Sequence, residues 1–145
     1  MNIRPVVALV ISLCMFPVAV SADEEGGLIT HMGNLQTWMH KAALSLDAKN
    51  PELLYFYTHE LEESIEAAEE VEKFKNYNIE ALIKETLVPE FEKFEKLVKA
   101  QKLDEANAQF GNMVKACNSC HNSVERGYIQ IKRVETNPYM QSFEK

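Results

Sequence analysis

Residues 28–46 read LITHMGNLQTWMHKAALSL. The apolar side chains Leu28, Met32, Leu35, Met39, Ala42 and Leu46 step by four, three, four, three and four, which lays one stripe along a helix instead of alternating across a strand. The pattern predicts a first helix from about Gly27 to Lys49. Asn50-Pro51 then gives an N-cap residue followed by proline at the first helical position, and Leu54, Tyr57, Leu61, Ile65, Ala68 and Val71 carry a second helix. Asn76-Tyr77-Asn78 reads as the next turn. A third helix takes Ile79, Leu82, Ile83, Leu87, Phe91, Phe94 and Val98 inward, and Pro89, which lacks a backbone donor, is expected to bend it without ending it. Asp104 is the expected N-cap of a fourth helix with Phe110, Met113, Val114, Cys117, His121 and Val124 facing inward, and Gly127 is its expected left-handed stop. Nothing in the pattern suggests a sheet. Four helices joined by short turns imply an all-α, up-down-up-down antiparallel four-helix bundle over residues 23–127, with an irregular tail, 128–145, packed along it.

The chain has 145 residues, 15 Lys and Arg against 22 Asp and Glu, and 46% hydrophobic residues. This is one domain's worth of material. A pI near 5.1 argues against a nucleic-acid partner, which would require a basic face. The first 22 residues have the makings of a cleaved signal peptide: Arg4 supplies the positive start, Val6 to Val20 is apolar apart from Ser12 and Pro17, and Val20-Ser21-Ala22 offers small residues for cleavage after Ala22. The run falls short of the ~20 residues that cross a bilayer comfortably and contains Pro17, so stable membrane insertion is not expected. Leu13 stands where a lipoprotein signal carries a small residue before its cysteine, which disfavours that role for Cys14. Cleavage removes one basic and no acidic side chain, leaving 123 residues at a formal charge of −8. It also leaves two cysteines.

Those two lie in Cys117-Asn118-Ser119-Cys120-His121. Thiols three positions apart on a helix share one side of it, at a spacing that reaches the two vinyl carbons of one haem edge to form thioethers, and the adjoining imidazole can then coordinate the iron. A thioredoxin-like dithiol would need a βαβ setting. A zinc site would need a fourth ligand, and no second cysteine pair supplies one. The expected cofactor is therefore one covalent haem c on Cys117 and Cys120, with His121 as the proximal iron ligand.

A Cys-x-x-Cys-His placed near the end of a fourth helix, in an exported chain of this length, resembles cytochrome c′ and its low-spin relatives, a family of four-helix-bundle monohaem c-type cytochromes. The resemblance covers about Leu28 to Gly127, and its specific part is the haem motif. Cytochrome c′ usually carries an aromatic residue followed by Arg or Lys soon after the histidine; here Val124 and Glu125 hold those places, with Arg126 one later.

Bundle geometry also suggests a sixth ligand. His121 is expected about five residues before its helix ends, and five residues in from Gly27 is Met32, whereas Met39 would be about 10 Å too far along the axis. The bundle cytochromes with haem b, which this family resembles in shape, likewise set a methionine near the start of helix one against a histidine of helix four. Met32 is the expected distal ligand. The alternatives are an open distal face, as in five-coordinate cytochrome c′, and His31, which lies ~100° around the helix from Met32. His40 and His59 read as surface or rim residues. Trp38, Phe56, Phe91, Phe94 and Phe110 either surround the porphyrin or simply fill the core. Arg126, Lys132 and Arg133 are candidates for contacts with the haem propionates, Arg126 foremost. Glu60, Glu62, Glu63, Glu66, Glu69, Glu70 and Glu72 make the second helix acidic, either a docking face for a basic redox partner or its solvated side.

Together these features lead us to expect a periplasmic, non-enzymatic electron carrier with His/Met-ligated low-spin haem that exchanges electrons with periplasmic or membrane redox proteins, as a monomer or homodimer. The alternative expectation is a sensor or scavenger of NO or CO with a vacant or labile sixth position.

Overall fold

The computed structural model describes residues 24–145, with side chains from Gly27 onward, so Cys14 and the expected signal segment lie outside the described residues. Those residues are all-α apart from one minimal hairpin: α1 (Glu24–Asp47), α2 (Pro51–Glu69), β1 (Lys73–Phe74), β2 (Tyr77–Asn78), α3 (Ile79–Thr86), α4 (Val88–Lys99) and α5 (Leu103–Ser123), then a tail without regular structure. No helix among them is long and apolar enough to cross a membrane.

The stripe that predicts α1 faces the core, with Leu28, Leu35, Met39, Ala42 and Leu46 buried and Met32 half-buried. From Ala42 to Leu46 every residue is buried. Five successive positions circle a helix completely, so this part of α1 is covered on all sides. α2 and α5 pack against α1, and the tail covers it too, through Arg133 to Ala43 O and Asp47 and through Tyr139 to His40. α2 contributes Leu54, Tyr57, Leu61, Ile65 and Ala68 to the same core, α4 Phe91, Phe94 and Val98, and α5 Ala106, Phe110, Met113 and Ala116. Each fully buried large side chain is worth ~1.5–3 kcal/mol over leaving it in water.

The helix ends depart from the sequence expectations in an instructive way. α2 starts as expected, with Asn50 Oδ1 accepting from Leu53 N at 3.2 Å and Pro51 following. Three of the helix C-termini are set by residues without a helix-end signature. α1, α4 and α5 all finish in the same motif, in which one residue turns left-handed and its own amide and the next one bond back to the helix. Lys49 (φ 50°) does this after α1, Gln101 (φ 56°) after α4 and Glu125 (φ 58°) after α5. The paired bonds are Lys49 N to Leu46 O and Asn50 N to Ser45 O, Gln101 N to Val98 O and Lys102 N to Leu97 O, and Glu125 N to Asn122 O and Arg126 N to His121 O. The stop of α5 is thus Glu125 and not Gly127, and the helix ends at Ser123. Gly127 has no left-handed backbone; a Cβ there would come within 2.3 Å of Asn122 Oδ1.

Asp104 is likewise not the cap of α5. The tight exit from α4 brings Lys102 into the N-cap position, and Asp104 and Glu105 fall in the first turn, where their charge complements the helix dipole. The expected bend at Pro89 is a full break: α3 and α4 are separate helices meeting at Leu87, and Pro89 sits in the first turn of α4, where its missing donor is harmless. Asn76-Tyr77-Asn78 is part of a hairpin, Lys73 opposite Asn78 and Phe74 opposite Tyr77, turned by left-handed Lys75. Asn78 then caps α3 through Ala81 N.

Candidate functional site

Cys117, Cys120 and His121 lie in the last two turns of α5, and all three are half-buried. Both thiols are free. Burial pushes the Cys117 thiol up to about 11, with a smaller contribution from neighbouring Cys120, and burial also raises Cys120 against a hydrogen bond with Thr86 at the end of α3. A dithiol exchange centre requires the opposite, a depressed thiol pKa. Among the described residues no group of three or more His, Cys, Asp or Glu side chains gathers as a cage for a metal ion.

His121 is held from outside its own helix. After Glu125 the chain doubles back, and Ile129 O lies 2.9 Å from His121 Nδ1. A carbonyl only accepts, so Nδ1 carries the proton and a neutral ring keeps its lone pair on Nε2. Two residues further on, Asn118 makes a two-bond pair with Ile131: Asn118 Nδ2 donates to Ile131 O at 2.8 Å and Ile131 N donates to Asn118 Oδ1 at 2.7 Å. The tail is therefore tied to the motif at its first variable position and at its histidine.

The surroundings come from elements the sequence did not mark. Arg126 lies 6.0 Å from the Phe74 ring centroid, and Tyr77 is raised by desolvation and by the Glu125 carboxylate, with Arg126 opposing. The hairpin thus stands beside the end of α5, and it also packs on α1. Ile29, Tyr128 and Ile129 are exposed apolar residues, at 64%, 76% and 44%.

The relation of α1 to α5 is fixed nearer their other ends. Arg133 joins Asn107 to Ala43 O and Asp47, while Met39, Ala43, Phe110 and Val114 line one small cavity of about 70 Å³. The helices therefore run antiparallel with Met39 near the level of Val114. Two turns back along α1 from Met39 is Met32, and two turns on along α5 from Val114 is His121. The route through the helix ends is different: α1 begins three residues before Gly27 and α5 ends two residues after His121. Met32 and His31 are both half-buried.

The remaining candidates are dispersed. Trp38 stacks on Tyr57 at 5.9 Å, Phe94 meets Phe110 edge-on at 6.1 Å, Phe91 is buried, and Phe56 is exposed, so these aromatics serve the core and the tail side. Arg133 is committed to α1 and α5 about 20 Å along the axis from His121. Lys132 is exposed, and Arg126 alone of the three stands beside the motif. His59 is exposed between Glu62 and Glu63, each at 3.5 Å. His40 is half-buried, a rim position: its Nδ1 meets Tyr139 Oη at 3.2 Å and its Nε2 is buried.

The signal for the tail contacts was weak. A backbone carbonyl such as that of Ile129 has no sequence signature, although Asn118 is a side chain able to pair with both backbone groups of an extended strand. Compared with protein-family models, curated proteins and solved structures, the chain shows no match.

Proposed function

We propose that this chain is an exported monohaem c-type cytochrome that carries single electrons, built as an up-down-up-down four-helix bundle in which α3 and α4 together form the third, broken helix. The state of His121 carries the reading. A histidine that ligates through Nε2 characteristically donates its other ring N–H to a carbonyl or carboxylate, and His121 Nδ1 is committed in this way to Ile129 O. The two free thiols of Cys117 and Cys120 precede it on the same helix at thioether spacing. The donor set therefore fits haem c. When bound, haem c supplies an iron that gains and loses one electron reversibly.

The chain's own residues do the rest. Cys117 and Cys120 would anchor the haem, His121 would ligate its iron through Nε2, and Met32, two turns back along α1 from Met39, would supply the second ligand. Arg126 is the proposed cation for the propionates. The electron-transfer partners are periplasmic or membrane redox proteins, with the acidic side of α2 as a docking face. Glu63 and Glu66 on that helix, and Glu70 just past its end, are exposed.

Co-expression with a c-type maturation system tests this directly. The protein is expected to gain one haem by mass, lose both free thiols, and show a low-spin ferric spectrum with the near-infrared band of methionine–iron ligation. Met32→Ala is expected to abolish that band. A high-spin ferric spectrum with rapid carbon monoxide binding would favour the gas-binding alternative, and absence of covalent haem would overturn the proposal.

A further inference from the structure

We propose that residues 129–131 of the tail form a strap that positions the iron-ligating histidine, and that Asn118, between the two cysteines, is the positioning residue that holds the strap in place. The inference rests on the haem reading above. Ile129 O receives the His121 Nδ1 proton at 2.9 Å, and Asn118 grips both backbone groups of Ile131 at 2.7 and 2.8 Å. Asn118 is half-buried, and both its amide nitrogen and its amide oxygen are engaged there. None of these three bonds is made by a fraying chain end. Downstream, Arg133 ties to Asn107, Ala43 O and Asp47, Tyr139 to His40, Gln141 to Tyr57, and the Phe143 carbonyl to Asn50 Nδ2.

The chemical consequence follows from the direction of the bond. A carbonyl accepting from Nδ1–H fixes the ring plane and tautomer and increases electron donation from Nε2, which favours the ferric iron. Asn118 touches neither His121 nor the expected iron position. It acts through the strap, by keeping Ile129 O where the ring needs it.

The test uses the full haem-loaded chain, its midpoint potential, and solvent exchange of the His121 Nδ1 proton followed by NMR in the ferric state. In the unaltered protein this proton is expected to exchange slowly. Asn118→Ala is expected to retain covalent haem, exchange the Nδ1 proton about tenfold faster because two hydrogen bonds of the clamp are lost, and raise the potential. Ile131→Pro removes the matching backbone donor from outside the haem motif and is expected to act in the same direction, with the double variant showing less than the sum. It also decides the matter if Asn118→Ala fails to mature. Ser119→Ala, at an exposed position between the cysteines, is the control expected to change neither readout. Rapid Nδ1 exchange in the unaltered protein, or loaded variants with unchanged exchange and potential, would overturn the strap while leaving the haem reading intact. Failure of the unaltered chain to take up haem would remove that reading instead.

Discussion

Met32 and Met39 sit on one stripe of α1 seven residues apart, yet they differ in burial. Met39 is 6% exposed and closes the core against Phe110 and Val114, whereas Met32 is half-buried at the end of the molecule that holds the motif. Met39→Ala should therefore cost about 2–4 kcal/mol of stability in denaturant unfolding and leave the haem spectrum unchanged. Met32→Ala should do the reverse, with a small stability loss and a changed spectrum. Equal spectral effects from both would show that the α1–α5 register does not select the ligand. Glu90 provides a second test at this scale. Hydrogen bonds from Lys93 and Gln109 hold its carboxyl below its ordinary value of 4.5. A depressed folded value means that its contribution to stability is present above pH 4.5 and is lost as the pH falls through that lower value. Glu90→Gln should flatten this acid limb by lowering stability near neutrality while leaving it unchanged at acid pH, where Glu90 is already protonated.

At the level of elements, the bodies of the helices were legible and their ends were not. The stripes from Leu28 to Leu46 and from Leu54 to Ala68 report a burial that many side chains share, so one discordant residue does not hide the period. An end depends on one backbone angle. Three of these helices stop on Lys49, Gln101 and Glu125, side chains that strain the left-handed region and leave no mark in the sequence, while Gly127 suggested a stop the chain does not use. The proposed haem motif, Cys117 to His121, stands out in the sequence for a different reason: the chemistry it would serve requires particular side chains at set spacing. Its support from the tail does not, because Ile129 contributes only a carbonyl. The unfavourable φ angles make a direct prediction. Lys49→Gly and Gln101→Gly should each stabilise the protein by about 0.5–1 kcal/mol, seen as a higher Tm, because relief of the left-handed strain exceeds the added entropy of the unfolded chain. A lower Tm would mean that the lysine and glutamine side chains make contacts worth more than the strain.

For the molecule as a whole, the tail is the element that joins the site to the rest of the fold, and it is held at two separated places. Its first part is gripped beside the motif by Asn118 and, about 20 Å further along the axis, anchored by its own Arg133, whose guanidinium spans α1 and α5. At the far end Phe143 is 6% exposed, its ring 6.0 Å from that of Tyr57 and 6.3 Å from that of Tyr139, with Asn50 Nδ2 bonded to its carbonyl at 3.1 Å. Lys41 Nζ lies over the Trp38, Tyr57 and Tyr139 rings at 5.0, 5.3 and 4.9 Å, so the same aromatic group also engages a cation. Phe143→Ala should then cost about 3 kcal/mol, the low end for a buried phenylalanine because a terminal segment can partly resettle. Met140→Ala, at a fully exposed position in the same segment, should cost nothing measurable. Because Arg133 intervenes, Phe143→Ala should speed amide exchange at Tyr139 while leaving the Ile131 amide protected. If Ile131 loses protection as well, the tail undocks as one unit, and the histidine's support depends on a phenylalanine fourteen residues beyond the carbonyl that holds it.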